Sequence, residues 1–128
     1  MRVKGCVHGA VLLSLAACGG KSPAERIAEH DLERTSWEQT TQLVGEKWIA
    51  SQIPTAYAHR TLVTALQELA AQNRAIGSES IDDSSRARLQ LVLARSKKFT
   101  ERLDSAIADD DSSAAVSVLE RAVRRGAK

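Results

Sequence analysis

The sequence predicts an all-α fold, an up-down-up three-helix bundle of long helices with a short fourth helix at the C-terminal end. Apolar residues recur at spacings of three, four and seven in three long segments and one shorter one, the period of a helix with one buried face. Proline occurs only at positions 23 and 54, where helices start or break. No β-branched alternating run competes, and no internal repeat is visible.

The first helix opens at Ser22-Pro23-Ala24-Glu25. Serine at the cap, proline at the first helical position and glutamate three residues after the cap make a capping-box signature. Ile27, Arg34, Trp37, Thr41, Val44 and Trp48 then share one face, the two tryptophans eleven residues, or about three turns, apart. Gly45 is either a weak point in this helix or a place where a neighbour packs closely. The helix spans about 28 residues, roughly 42 Å at the helical rise. Pro54 disfavours helix at Ile53 and opens the second segment.

That segment carries Leu62, Leu66, Leu69, Asn73 and Ile76, with Asn73 on the apolar seam and Gly77 as the stop. A polar loop, Gly77 to Ser85, ends in capping residues. The third helix carries Leu89, Val92, Ser96, Phe99, Leu103 and Ala106, with Leu93 and Ile107 beside them. Asp109-Asp110-Asp111-Ser112-Ser113 breaks the chain before a last helix with Val116, Leu119 and Val123. Short connections make sequential helices antiparallel, so the first and third run parallel.

The N-terminus belongs to another category. Met1-Arg2-Val3-Lys4-Gly5 carries two positive charges and precedes about twelve mostly apolar residues, Cys6 to Ala17. A bilayer-spanning helix needs roughly 20. A short basic start, a short apolar stretch and small residues at its end describe a secretory signal. Leu15-Ala16-Ala17-Cys18 resembles the lipobox of bacterial lipoprotein signal peptides: a branched apolar residue, two small residues, then cysteine.

The resemblance covers residues 1 to 18. It implies that diacylglycerol is joined to the Cys18 sulfur, that signal peptidase II cuts before Cys18, and that the new amine is acylated, commonly with palmitate. His8 inside the apolar stretch is a mild departure; a mostly neutral imidazole costs less there than a fixed charge. Residue 19 is glycine rather than the aspartate that marks inner-membrane retention in enteric bacteria, so the resemblance implies an outer-membrane lipoprotein facing the periplasm.

The expected organisation is a removed signal over 1–17, a lipidated linker over 18–22 and a helical bundle domain over 23–128. Lipid on Cys18 is then the membrane attachment, since no later apolar run reaches 18 residues. Cleavage also removes Arg2 and Lys4 from the 18 basic residues, leaving 16 against 16 acids. A formally neutral body gives no global reason to expect nucleic-acid binding. With Cys6 removed and Cys18 lipidated no thiol remains for a disulfide, a thiolate metal site or a nucleophile.

Two histidines stay in the body, His30 and His59. In the expected hairpin they sit about 25 Å apart along the axis, too far to share an ion. No Glu-x-x-His pair, nucleophile elbow, phosphate-cradling glycine loop or zincin motif occurs. The sequence therefore points to no catalytic residue, cofactor or metal, and to a non-enzymatic interaction, adaptor or scaffold module with an envelope protein as partner.

Candidate interaction residues fall into two groups. Trp37 and Trp48 either pack the core or form a binding hot spot. Arg121, Arg124, Arg125 and Lys128 lie roughly opposite Val116, Leu119 and Val123, so the last helix can dock its apolar stripe and present a basic face to an anionic partner. The third helix is basic as well: Arg88, Arg95 and Arg102 are spaced by seven. Asp31 and Glu38, also seven apart, are placed to face that row across the bundle and neutralise it.

Two other uses stay open. The terminal lysine is similar to that of the murein lipoprotein family, whose last residue joins peptidoglycan, which would make Lys128 a cell-wall tether. An apolar ligand carried between helices beside Trp37 and Trp48 is the other. An envelope-stress chaperone has no motif in its favour.

Overall fold

The computed structural model describes residues 19–127. The expectations for the signal segment 1–17, for Cys18 and for Lys128 fall outside them. The described residues form four helices and no strand: α1 (Pro23–Ile49), α2 (Thr55–Ser78), α3 (Asp83–Ala108) and α4 (Ser112–Gly126).

Side-chain chemistry starts three of these helices. The Glu25 backbone N–H donates to Ser22 Oγ at 3.2 Å, and the Ser22 N–H donates to Glu25 Oε2 at 2.7 Å. Both halves of the expected capping box are thus present, satisfying donors that the first turn leaves without partners. Asp82 accepts from the Ser85 N–H at 2.8 Å, and Asp111 from the Ala114 N–H at 2.9 Å. α2 has no side-chain cap; Pro54 stands at its N-cap in an extended conformation.

The ends depart from the glycine rule. The helix runs through Gly77 to Ser78, so Gly77 is not the stop expected of it. Left-handed residues instead follow α1 and α3, Ser51 at φ 56° and Asp110 at φ 54°. Each makes the paired return bonds of a Schellman motif. After α1, the Gln52 N–H reaches the Lys47 carbonyl and the Ser51 N–H reaches that of Trp48. After α3, Asp111 and Asp110 do the same to Ala106 and Ile107. The α2 end is held from outside, where the Arg86 guanidinium donates to the carbonyls of Ile76, Glu79 and Ile81. Ile81, in the segment read as a polar loop, is buried under this clamp.

Cross-helix contacts give the directions. Arg34 meets Ser96 and Thr41 meets Thr100, so residue numbers rise together and α1 and α3 are parallel. Arg26 meets Glu79, and His59 meets Asp104, which sets α2 antiparallel to both. Two apolar clusters fill the space between the helices. One joins Val44, Trp48, Leu62, Phe99, Leu103 and Ile107 with α4. The other joins Leu69, Ile76, Ile81, Leu89 and Leu93, with Ile27 and Trp37 against it. Burying each such side chain stabilises the fold by about 1.5–3 kcal/mol. Among the described residues, the two clusters draw on positions from Ile27 to Ala122 and involve all four helices.

The buried seam of α2 is Ala58, Leu62, Ala65, Leu69, Gln72 and Ile76. Asn73, expected on that seam, is exposed, and Leu66 is only half-buried. Ala58 and Ala65 are fully buried, so the helix turns its small residues inward and approaches its neighbours closely. The buried polar residue is Gln72, which donates to the His30 carbonyl.

α4 packs on α3 and α1 through Ala115 and Leu119, with Ala114, Val118 and Ala122 partly buried beside them. The expected stripe of Val116, Leu119 and Val123 is therefore rotated. Leu119 enters, while Val116 and Val123 stay exposed at 38% and 57%. The approach depends on Gly45, where a Cβ would stand 2.8 Å from Leu103 Cδ2 and 3.2 Å from Leu119 Cδ2.

Candidate functional site

The docking of α4 builds a charged groove. α3 contributes Arg95, Lys98 and Arg102, spaced by three and four, which places them on one flank of the helix. α4 contributes Arg121 and Arg125 from consecutive turns of its α3-facing edge. Phe99 and Val118 form the floor. All five cationic residues are exposed at their ends.

None of these five cations takes part in the ion pairs found among the described residues. Among the described residues, the one side-chain hydrogen bond they make runs within α4, from Arg125 Nε to the Arg121 carbonyl at 3.1 Å. Arg124 stands apart, 80% exposed and 3.5 Å from Glu120 on its own helix.

The acidic residues of α1 do face the α3 row, Asp31 across a cleft from Arg88 and Glu38 across another from Arg95, but they make no direct ion pair with it. Arg34, on α1 itself, takes both carboxylates, Asp31 at 2.8 Å and Glu38 at 2.6 Å. Ser96 adds a hydrogen bond to Glu38 at 3.0 Å. A guanidinium three and four residues from two carboxylates satisfies them locally, and Arg95 and Arg102 are left on the groove side. Beyond the end of α4 the groove widens into an open cleft of about 600 Å³ lined by Arg34, Glu38, Val92, Arg95, Phe99 and Arg125.

The remaining candidates separate in space. Trp48 is buried, and its indole Nε1 donates to Thr55 Oγ1 at 3.0 Å across the α1–α2 turn. Its place is in the core. Trp37 is half-buried against the second apolar cluster. The histidines stand near opposite ends of α2: His59 Nδ1 is 2.7 Å from Asp104, and His30 Nε2 is 3.5 Å from Glu79. The Arg26 guanidinium, 3.0 Å from Glu79, is the main cause that holds the Glu79 carboxyl below its ordinary range, with His30 adding to it.

Arg121 and Arg125 thus belong to the basic face read from sequence, and Arg95, Lys98 and Arg102 join them. The heptad spacing of Arg95 and Arg102 was visible in the sequence. Which edge of α4 would come to lie beside it was not. No helix among the described residues is long and apolar enough to cross a membrane. Compared with family models, with curated proteins and with solved structures, the chain matches none.

Proposed function

We propose that this chain is a lipid-anchored helical lipoprotein of the bacterial envelope, facing the periplasm from the outer membrane and working without catalysis as an interaction, adaptor or scaffold module. Leu15-Ala16-Ala17-Cys18 behind a short basic and apolar start supports the anchor. The single structural observation that supports an interaction role is the α3/α4 groove, where five cations converge and none forms an ion pair among the described residues. Like charges held together are unfavourable, and a partner of opposite sign relieves them.

In this reading α1, α2 and α3 form an up-down-up bundle that acts as the rigid support. α4, laid against it, carries the working face. Gly19 to Ser22 form the tether between lipid and helix.

Site-specific crosslinking tests the role. A photoreactive residue at Arg124, which sits on the exposed face of α4, is expected to yield a defined envelope adduct in cells. Replacing Arg121, Arg125 and Lys128 by glutamine in the same chain is expected to remove it. Crosslinks only to other copies of the chain, or an adduct indifferent to the glutamines, would overturn the adaptor reading.

A further inference from the structure

We propose that the α3/α4 groove is the face by which the body lies against an anionic phospholipid surface, seating lipid phosphates between its two rows of cations. The groove has the right chemistry for phosphate. Four of its five cations are arginines, whose guanidinium forks match phosphate oxygens in pairs.

Its shape favours a surface over a free ligand. The rows run along the helices, Arg95 to Arg102 covering about 10 Å and Arg121 to Arg125 about 6 Å. The space between the rows is only about 50 Å³, and the cleft of about 600 Å³ into which it widens at the end of α4 is open to solvent rather than enclosing. An array that is long, shallow and open contacts several phosphates presented side by side. Leu91 extends the same flank of α3, four residues before Arg95 and seven before Lys98, and is 53% exposed. Cations in line with an exposed leucine suit the boundary between headgroups and acyl chains.

The body carries equal numbers of acids and bases, so attraction to such a surface is local to this face. The biological setting rests on the lipid-anchor reading. Four residues, Gly19 to Ser22, separate Cys18 from α1, which bounds the tether at roughly 14 Å. A tether that short holds the first turn of α1 beside the bilayer, and the groove meets the surface when the bundle lies along it. The chemistry of the groove does not depend on the anchor, and the test leaves the anchor out.

The body from Gly19 to Lys128 would be sedimented with vesicles at low ionic strength. One set contains phosphatidylglycerol in phosphatidylcholine, the other phosphatidylcholine alone. Binding is expected only to the anionic set and is expected to fall steeply with added salt. Arg95→Gln, Arg102→Gln and Arg121→Gln together are expected to weaken it roughly 100-fold, about a factor of five per cation lost at the surface. Arg60→Gln, Arg74→Gln and Arg88→Gln together remove the same charge away from the groove and are expected to weaken it by well under tenfold. Arg121→Gln alone is carried beside the triple, and melting curves of every variant check that the fold is retained.

Equal losses in the two triples would overturn the proposal, because attraction would then be bulk charge. Indifference to anionic vesicles would also overturn it. So would stabilisation by polyglutamate or by free glycerol phosphate without vesicle binding, which would assign the groove to an acidic protein or a soluble anion. Absence of fatty-acid label on Cys18 would overturn the anchor and leave the vesicle result standing.

Discussion

Gly45 of α1 lies directly against Leu119 of α4, so close that a methyl group on residue 45 would stand 3.2 Å from Leu119 Cδ2. The same methyl would meet Leu103 Cδ2 at 2.8 Å, inside van der Waals contact, so the fully buried Leu103 side chain would have to shift. This contact seats α4, and the seat of α4 creates the groove. Gly45→Ala gains about 1 kcal/mol of helix propensity, but overpacking of this kind costs about 1–3 kcal/mol. The expected net result is a loss of about 1 kcal/mol in chemical denaturation, with exchange protection lowered in α4 more than in α2. A more stable protein would mean that α4 sits less tightly than described.

Leu69→Ala is expected to destabilise the body by about 2–5 kcal/mol, the usual range for emptying a buried leucine site. Leu69 is 2% exposed in the middle of α2. Leu66→Ala, one turn earlier on the half-buried edge, is expected to cost only about 1 kcal/mol. Equal costs would restore the seam that large apolar residues alone suggest.

That seam shows what the sequence could and could not reveal. The helices and the capping box at Ser22 and Glu25 were legible because local hydrogen bonding and periodicity determine them. The rotation of α2 was not. Ala58 and Ala65 fill the seam because close approach favours small residues there, and a search for large apolar residues passes over alanine. The same holds for α4, where Ala115 and Ala122 help to set the docking edge and Val116 and Val123 do not. The groove was half legible: Arg121, Arg125 and the α3 row could be read, but their convergence follows from that rotation. Local pairing of Arg34 with Asp31 and Glu38 decided which rows stayed uncompensated.

Ser51→Gly and Asp110→Gly are each expected to stabilise the protein by about 0.5–1 kcal/mol. Both residues hold a left-handed backbone that costs a side-chain-bearing residue roughly 1 kcal/mol and glycine little. Melting temperatures compared at one pH check this. A loss in either variant would mean that the side chain has a compensating partner.

Acid is expected to loosen the fold through three carboxylates. Glu79 is held below its ordinary value of 4.5 mainly by Arg26, Asp82 below 3.8 mainly by the Ser85 hydroxyl, and Asp111 below 3.8 mainly by the Ala114 N–H. Each favours the folded state in its charged form. Their contribution is complete above the unfolded values and is lost as pH falls through the lowered folded values. Melting temperature is therefore expected to hold from neutral pH to about 4.5 on their account and to fall below it. Glu79→Gln should start lower at neutral pH and lose less on acidification. Parallel curves for variant and wild type would remove Glu79 from this role.

The most direct test of the account is metabolic labelling with a clickable fatty acid in bacteria expressing the full chain, wild type beside Cys18→Ser. In the proposed lipoprotein reading, the Cys18 thiol accepts diacylglycerol, and that transfer precedes cleavage. Wild type is expected to carry the label and run at the size of the cut protein. The serine variant is expected to carry none and to remain uncut. Equal labelling of both, or label on neither, would contradict the account.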